Sequence, residues 1–437
     1  MRKFLSILAL IACLSLWSWS ITFAQDFQVG QSVILEATKP AGVPLHRKPT
    51  SSYLKHVPTG TPATVEKTAQ NGQWLYLRLP NKSTAWVHKQ YLKAGSPPPS
   101  PFPNPIVPQT ATGGEHAAWA SRDQCEAVVK QGSRMASESS AKIRLATWNI
   151  RWFPTGKPSD QSENVADPTD IEWLICAIRW MQIDILAVQE SLATPEATKA
   201  WNRIIASLNQ QTGDTWQWYR QPCGRPDDHH VGLLWNDTRV SLSQFESLWQ
   251  FNAKAQSDAN ACTFGLRPGQ YAWAQARDPK GVNFHVIALH LKSGPTVFAL
   301  EERHKALNRI EQAVAPLLRR DRDVVILGDF NTMGAGDSHS QQYEVKNMRR
   351  KVAKNNPGFT TLDLQPQCSH YFRGRGNWLD HVLVSQEMEE VTVTTAQVTG
   401  YCAVAGCERI QGDYPPAYHH LSDHCPVVLD IENRDRD

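Results

Sequence analysis

Apolar residues fall along this chain in three rhythms. Between residues 27 and 93 the runs are short and closely spaced: Ser32-Val33-Ile34-Leu35, Pro44-Leu45-His46, Ala63-Thr64-Val65, Trp74-Leu75-Tyr76-Leu77 and Ala85-Trp86-Val87, with Pro, Gly and Asn between them. That spacing predicts a small all-β barrel. Over residues 94–114 the runs give way to Pro, Ser, Gly and Thr, including Pro97-Pro98-Pro99-Ser100-Pro101. Such a segment cannot bury a core and is expected to be an extended, semi-rigid spacer. In residues 115–437 longer apolar runs return, at Ile143 to Trp148, Ile183 to Val188, Val231 to Trp235, Phe284 to Leu289, Val324 to Leu327, Leu379 to Val384 and Pro426 to Ile431. Each reads as a buried strand. Between them lie helical patterns. Asp167-Pro168 predicts an N-cap and a first-turn proline, followed at helical spacing by Ile171, Leu174, Ile175, Ile178 and Met181. A second helix is predicted over about Val297 to Arg319, with Leu307, Ile310, Val314 and Leu317 on one face, and a third over about Glu196 to Leu208. No second linker divides this region, so it is expected to be one large α/β unit.

The first residues follow another pattern. Arg2 and Lys3 precede an apolar run from Phe4 to Leu16, and Thr22-Phe23-Ala24 offers small residues for cleavage before Gln25. Residues 1–24 therefore read as a secretory signal peptide, and the protein as exported, periplasmic or extracellular. A second reading takes Leu10-Ile11-Ala12-Cys13 as a lipoprotein-type cleavage site with membrane anchoring through Cys13. No later stretch approaches the ~20 apolar residues needed to span a bilayer, which excludes a multispan membrane protein. Losing Arg2 and Lys3 takes the formal charge from +3 to +1. That balance neither demands nor excludes a polyanionic partner.

Apart from Cys13, eight cysteines remain: Cys125, Cys176, Cys223, Cys262, Cys368, Cys402, Cys407 and Cys425. An even count in an exported chain points to disulfides. Cys402 and Cys407, bracketing a short loop, are the expected pair, while Cys176 on an apolar helix face also suits a core role. No CxxC occurs, which speaks against structural zinc.

Candidate chemistry collects at the strand ends. Asn149 follows Trp148, Glu190 follows Val188-Gln189, His290 follows Leu289, and Asp329 and Asn331 flank Phe330 after Leu327-Gly328. Asp380-His381 opens a strand and Ser422-Asp423-His424 precedes one. A carboxylate and an amide two apart on extended backbone, as at Asp329 and Asn331, would point to the same side. By the same alternation His381 faces away from Asp380 and is expected to be structural. His229-His230, before Val231-Gly232-Leu233-Leu234-Trp235, could line a cleft, but a solvated turn is the expected reading.

Two resemblances follow from these residues. Pro44-Leu45-His46-Arg47-Lys48-Pro49, Asn71-Gly72-Gln73-Trp74-Leu75-Tyr76-Leu77 and Thr84 to Leu92 resemble bacterial SH3-like domains, which implies attachment to cell-wall material or to a protein partner; a structural appendage is the competing reading. Ala146-Thr147-Trp148-Asn149-Ile150, Leu186-Ala187-Val188-Gln189-Glu190, Leu289-His290-Leu291-Lys292-Ser293-Gly294, Leu327-Gly328-Asp329-Phe330-Asn331, Leu379-Asp380-His381 and Ser422-Asp423-His424 resemble the endonuclease/exonuclease/phosphatase (deoxyribonuclease I-like) superfamily, over about 143–432. That resemblance implies a four-layer α/β sandwich, two mixed sheets face to face with helices outside.

It also implies roles. Glu190 is the principal ligand of Mg²⁺ or Mn²⁺, with Asn149 and Asp423 near the same ion or a second one. His424 activates water or stabilises the phosphorane, held by Asp380. Asp329 and Asn331 orient the nucleophile and bind phosphate, and His290 donates to phosphate or to the leaving oxygen. The general base is Asp329 or His424. Lys292 and Arg373 are weaker candidates for phosphate contact, and Tyr371 and Trp378 for stacking on a base. One departure bears on substrate: Ser191-Leu192 follows Glu190, without the nearby arginine that deoxyribonuclease I uses in the minor groove. The reading is an exported metal-dependent phosphodiester hydrolase acting on nucleic acid. A sphingolipid or inositol phosphate substrate is the alternative, and an inactive wall- or protein-binding adhesion module is a further one.

Overall fold

The computed structural model describes residues 27, 32–37, 42–49, 53–69, 73–79, 83–94, 113–135, 140–157, 168–263, 265–336 and 338–436. The expected leader, Cys13, most of the spacer and Asp167 lie outside the described residues. Two compact units divide the chain, residues 1–104 and 105–437.

The first unit is β-rich. Strands Ser32–Leu35, Val43–His46, Tyr53–Val57, Pro62–Thr68, Trp74–Arg78, Thr84–His88 and Leu92–Ala94 form one antiparallel sheet. Alternation drives it: in Trp74–Arg78 the residues Leu75 and Leu77 are buried while their neighbours are half-exposed. Val33, Leu35, Val43, Leu45, Val65, Leu75, Leu77 and Val87 make its core.

The second unit is built on two mixed sheets. One runs Trp216–Arg220, His230–Asn236, Ile185–Ser191, Lys142–Phe153, Val427–Glu432, Thr395–Val398, Asp363–Gln365. The other runs Val240–Leu248, Gly269–Ala276, Asn283–His290, Val324–Asp329, Asp380–Ser385, Phe359–Thr361. Each contains a parallel pair, Lys142–Phe153 with Ile185–Ser191 and Asn283–His290 with Val324–Asp329. The central strands read as continuous apolar runs because both their faces are covered. Val325 and Leu327 join a cluster with Leu145, Val188 and Leu233 of the other sheet, whereas Val324 and Ile326 join Leu307, Ile310 and Met348 of the helices. The alternation of one strand thus separates an inter-sheet core from an outer helical layer. Apolar burial of this kind stabilises by about 1.5–3 kcal/mol per large side chain.

Several sequence expectations shift. Helix Ile171–Met181 is capped by Asp170, whose side chain accepts from Trp173 N, and not by Asp167-Pro168. The helix expected to run to Arg319 breaks into Val297–Leu307, Ile310–Val314 and a single turn at Leu317–Arg319, although Leu307, Ile310 and Val314 are buried on one face as expected. The Cys402–Cys407 pairing is overturned: Cys402 bonds Cys425, Cys407 bonds Cys368, Cys125 bonds Cys176 and Cys223 bonds Cys262. Tyr401–Val404 is a helical turn that aims Cys402 inward against the Cys425 strand entry, so short sequence separation did not decide the partner.

Candidate active site

Strand register assembles the site. In the second sheet His290 pairs with Asp329 across a parallel ladder, and Asp329 pairs with Asp380 across an antiparallel one. Three neighbouring strands therefore end in a row of His290, Asp329 and Asp380, spaced by the sheet repeat. Gly328 makes the row compact: its φ is +151°, and a Cβ there would meet the Leu289 carbonyl oxygen at 2.1 Å. The other sheet contributes Asn149, next to Gln189 in register, and then Glu190, which has a left-handed φ of 62°. The segment before Val427–Glu432 supplies Asp423 and His424. Ser422 fastens it there, donating to the Asn149 carbonyl at 2.6 Å and accepting from His424 N at 3.0 Å.

The two sheets meet at Asp329, whose Oδ2 accepts from Asn149 Nδ2 at 3.0 Å. Around it lie His290 Nε2 at 3.6 Å and His424 Nε2 at 3.8 Å. His424 Nδ1 is 2.8 Å from Asp380 Oδ2, and Asp380 is fully buried with its backbone N–H donated to Ser369 Oγ. A buried carboxylate hydrogen-bonded to one ring nitrogen fixes the tautomer and leaves the other nitrogen to face the reaction space. Asp329, Asp380 and His424 form one group of closely spaced ligand-type atoms, and Glu190, His229 and His290 form another. Among the described residues Asp423 joins neither; it lies 4.0 Å from His370 Nε2, whose ring packs on His424.

Burial and neighbouring charge set the protonation. Burial pushes the Asp329 carboxyl upward, and the Asp380 carboxylate adds to that, against the pull of His424. For His424 burial alone would lower the imidazole, but Asp380, Asp329 and Asp423 together raise it to about 10. His290 is driven far down by burial, with Arg267 and His229 adding to it. His370 falls to about 3 through burial, with His424 beside it. For Asp423 the cationic influence of His424, His370 and Arg151 outweighs burial and holds it low.

The remaining candidates scatter. Asn331 is beside Asp329, but through a left-handed turn (φ 52°) and not by extended alternation: its N–H donates to Asp329 Oδ1 at 2.8 Å and its Nδ2 to the Leu291 carbonyl at 3.1 Å. Lys292 is half-buried, its Nζ donating to the Ser293 carbonyl at 2.8 Å. Arg373 sits on the exposed turn between His370–Phe372 and Arg375–Asn377, over the Phe372 ring. Tyr371 is buried with its hydroxyl donating to the Glu408 carbonyl, so its ring is not presented for base stacking; Trp378 is half-buried, stacked on His381 with the Arg349 guanidinium 4.7 Å from its ring centre. His381 is buried, with Nε2 2.9 Å from Thr332 Oγ1, in keeping with a structural part.

One expectation is overturned, and one residue escaped the sequence reading. His229 is not a solvated turn residue: its ring meets Trp152 edge-on at 4.5 Å, and its Nδ1 lies 3.6 Å from Glu190 Oε1. Arg267 donates to the His229 carbonyl at 3.0 Å, and the carboxylates of Glu190, Asp329 and Asp228 act on it. It adds a cation beside the carboxylates that no motif announced.

A profile of the endonuclease/exonuclease/phosphatase family matches residues 146–424. The chain is similar to endonuclease/exonuclease/phosphatase family domain-containing protein 1 of Bos taurus, 23% identical over 310 residues, 66% of this chain and 49% of the relative. It thus spans about half the length of that curated relative. Among solved structures, an endonuclease/exonuclease/phosphatase from Bacteroides vulgatus aligns at TM-score 0.44 and 16% identity, over 67% of this chain and 99% of that one. The human nocturnin catalytic domain with bound sulfate aligns at 0.44 and 14%, over 68% and 96%.

Proposed function

Because the chain belongs to the endonuclease/exonuclease/phosphatase family, whose members hydrolyse phosphate esters, we propose that its large unit is a divalent-metal-dependent phosphodiesterase acting on nucleic acid. The observation that carries this reading is the Asp380–His424 pair, closed at 2.8 Å, with His424 Nε2 aimed at Asp329 beside His290.

Glu190, which the family resemblance joins with Asn149 and Asp423, would hold the ion, Mg²⁺ or Mn²⁺. Glu190 is placed to offer a carboxylate oxygen: Oε2 accepts from Trp152 N at 3.2 Å, while Oε1 is turned into the space beside His229 and His290. Such an ion neutralises charge on non-bridging phosphate oxygens and makes a water a better nucleophile. The chain's own groups do the rest. Asp380 accepts the Nδ1 proton of His424 and keeps that ring charged, so at neutral pH His424 donates from Nε2 to a phosphate oxygen. Asp329, with its raised proton affinity and its Oδ1 held by Asn331 N–H, is the group suited to take the proton of the attacking water. His290, kept neutral by burial, turns its Nε2 into the same space beside Glu190 and Asp329. Arg267 and Lys292 add positive charge for a phosphodiester.

We read the β-rich first unit as an SH3-like attachment module for cell-wall material or a protein partner, and the chain as exported. Four disulfides suit an oxidising compartment, and no helix among the described residues is long and apolar enough to cross a membrane.

The test is incubation of plasmid DNA, RNA and bis-(p-nitrophenyl) phosphate with Mg²⁺, with Mn²⁺ and with EDTA. Nucleic acid cleavage that needs the metal is expected. Intact nucleic acid in every condition, with phosphocholine or inorganic phosphate freed from a sphingolipid or inositol phosphate, would overturn the substrate assignment.

A further inference from the structure

We propose that Glu190, His229 and His290 form a mixed oxygen–nitrogen metal centre that selects a later transition-series divalent cation, of the Co²⁺ or Zn²⁺ kind, over Mg²⁺. The proposal deepens the hydrolase reading and rests on it for what the ion does.

Distances carry it first. His229 Nδ1 and His290 Nε2 lie 3.6 and 3.8 Å from the same atom, Glu190 Oε1. An N–H···O hydrogen bond closes at about 2.7–3.2 Å, so neither contact is one. Two metal–ligand bonds of about 2.0–2.2 Å each span at most roughly 4.4 Å. Both separations are therefore too long for a hydrogen bond and within the reach of one shared ion. All three ligand atoms lie within 4.8 Å of one another. An imidazolium–carboxylate salt link, the competing explanation, would close, as His424 and Asp380 do at 2.8 Å.

Two of the three ligands are also held from behind, as the outer support of a metal site requires. Glu190 has its other oxygen fixed by Trp152 N–H. The His229 ring rests against Trp152, and its backbone carbonyl is held by Arg267. His290 ends a central strand and is 4% exposed. Its Nδ1 is buried with no hydrogen-bond partner among the described residues, so Nε2, facing Glu190 and Asp329, is the atom through which this ring engages a partner. The two imidazoles lie nearly parallel, 10° apart with centroids at 6.0 Å.

The donor types then choose the ion. Mg²⁺ demands oxygen ligands and keeps its waters, whereas imidazole nitrogens suit the first-row transition ions. Two nitrogens beside one carboxylate oxygen favour the latter.

The experiment uses the full chain, stripped with chelator and titrated calorimetrically with Co²⁺ and with Mg²⁺. Co²⁺ is expected to bind at least about 100-fold more tightly than Mg²⁺. His229→Ala is expected to weaken Co²⁺ by about 10-fold or more while moving Mg²⁺ by less than about 3-fold. Should that variant fail to fold, the wild-type chain still decides: pulsed electron paramagnetic resonance of bound Mn²⁺ must show coupling to two imidazole nitrogens. Equal affinities for Co²⁺ and Mg²⁺, an unchanged Co²⁺ affinity in a folded His229→Ala, or absent nitrogen coupling each overturns the centre. Selective Co²⁺ binding without cleavage of any phosphate ester would keep the centre and sink the hydrolase reading. Cleavage by a protein that prefers Mg²⁺ would do the reverse.

Discussion

Two groups of side chains flank Asp329, and they are built to different tolerances. Asp380 and His424 touch at 2.8 Å, and both are almost wholly buried. His229 and His290 stand 3.6 and 3.8 Å from Glu190 Oε1, and Glu190 and His229 are partly open to solvent. The first spacing is that of a hydrogen bond and holds a proton in a fixed place. The second leaves room for a guest between the atoms. Asp329 lies between them, within 3.6 Å of His290 and 3.8 Å of His424, so a phosphate seated there would meet both.

The strongest way to break the comparison is to remove one member from each side. Glu190→Ala and His424→Ala are both expected to lower phosphodiester turnover by about 10³-fold or more. Calorimetry should separate them: Glu190→Ala loses divalent-ion binding and His424→Ala retains it. Retention of the ion by Glu190→Ala, or its loss in His424→Ala, would show that the two groups are not distinct.

Protonation gives a second contrast, read from chemical denaturation of chelated protein against pH. His424 is raised to about 10, so its contribution is fully present below its unfolded value near 6.5 and is lost as pH rises through about 10. That alkaline loss should be on the order of a few kcal/mol and should flatten in His424→Gln. His370 and His381, both lowered to about 3 mainly by burial, act in the opposite sense: their contribution is present above about 6.5 and is lost as pH falls toward 3. An alkaline limb unchanged by His424→Gln would remove the charged imidazole from the argument.

The smallest expected effect sharpens the difference in rigidity. Cys223 and Cys262 are bonded, and the segment between them carries His229. Replacing both by Ser should weaken divalent-ion binding by about 10-fold or less and leave the alkaline limb set by His424 in place. An equal change in both would mean that the disulfide supports the whole cleft and not one side of it.

Much of this was legible in the chain because the site is made of strand ends. Asn149, Glu190, His290, Asp329 and Asp380 each sit at the end of an apolar run or one residue from it, and a strand buried on both faces announces itself in one dimension. The order of those runs, with the helical patterns between them, also announced an α/β unit. What failed to show in one dimension depended on backbone turns or distant partners. Asn331 reaches Asp329 through a left-handed residue where extended alternation was expected. Cys402 passed over Cys407, five residues away, for Cys425, because a helical turn aimed it inward. His229 and Arg267 stand in irregular segments with no period to read, and they meet Glu190 because Arg267 holds the His229 carbonyl and Trp152 backs its ring.

The sequence by itself determined which residues could do phosphate chemistry and that strands would present them, since hydrophobic period and strand-end position are local properties. The tertiary structure alone decided which of them meet. Register between three strands brought His290, Asp329 and Asp380 into a row. Contact between the sheets set Asn149 on Asp329, and the loop anchored near Cys223 carried His229 to Glu190. Distances of 2.8 Å on one side and 3.6 to 3.8 Å on the other separate a closed hydrogen bond from a wider spacing, and they arise from packing between segments far apart in the chain.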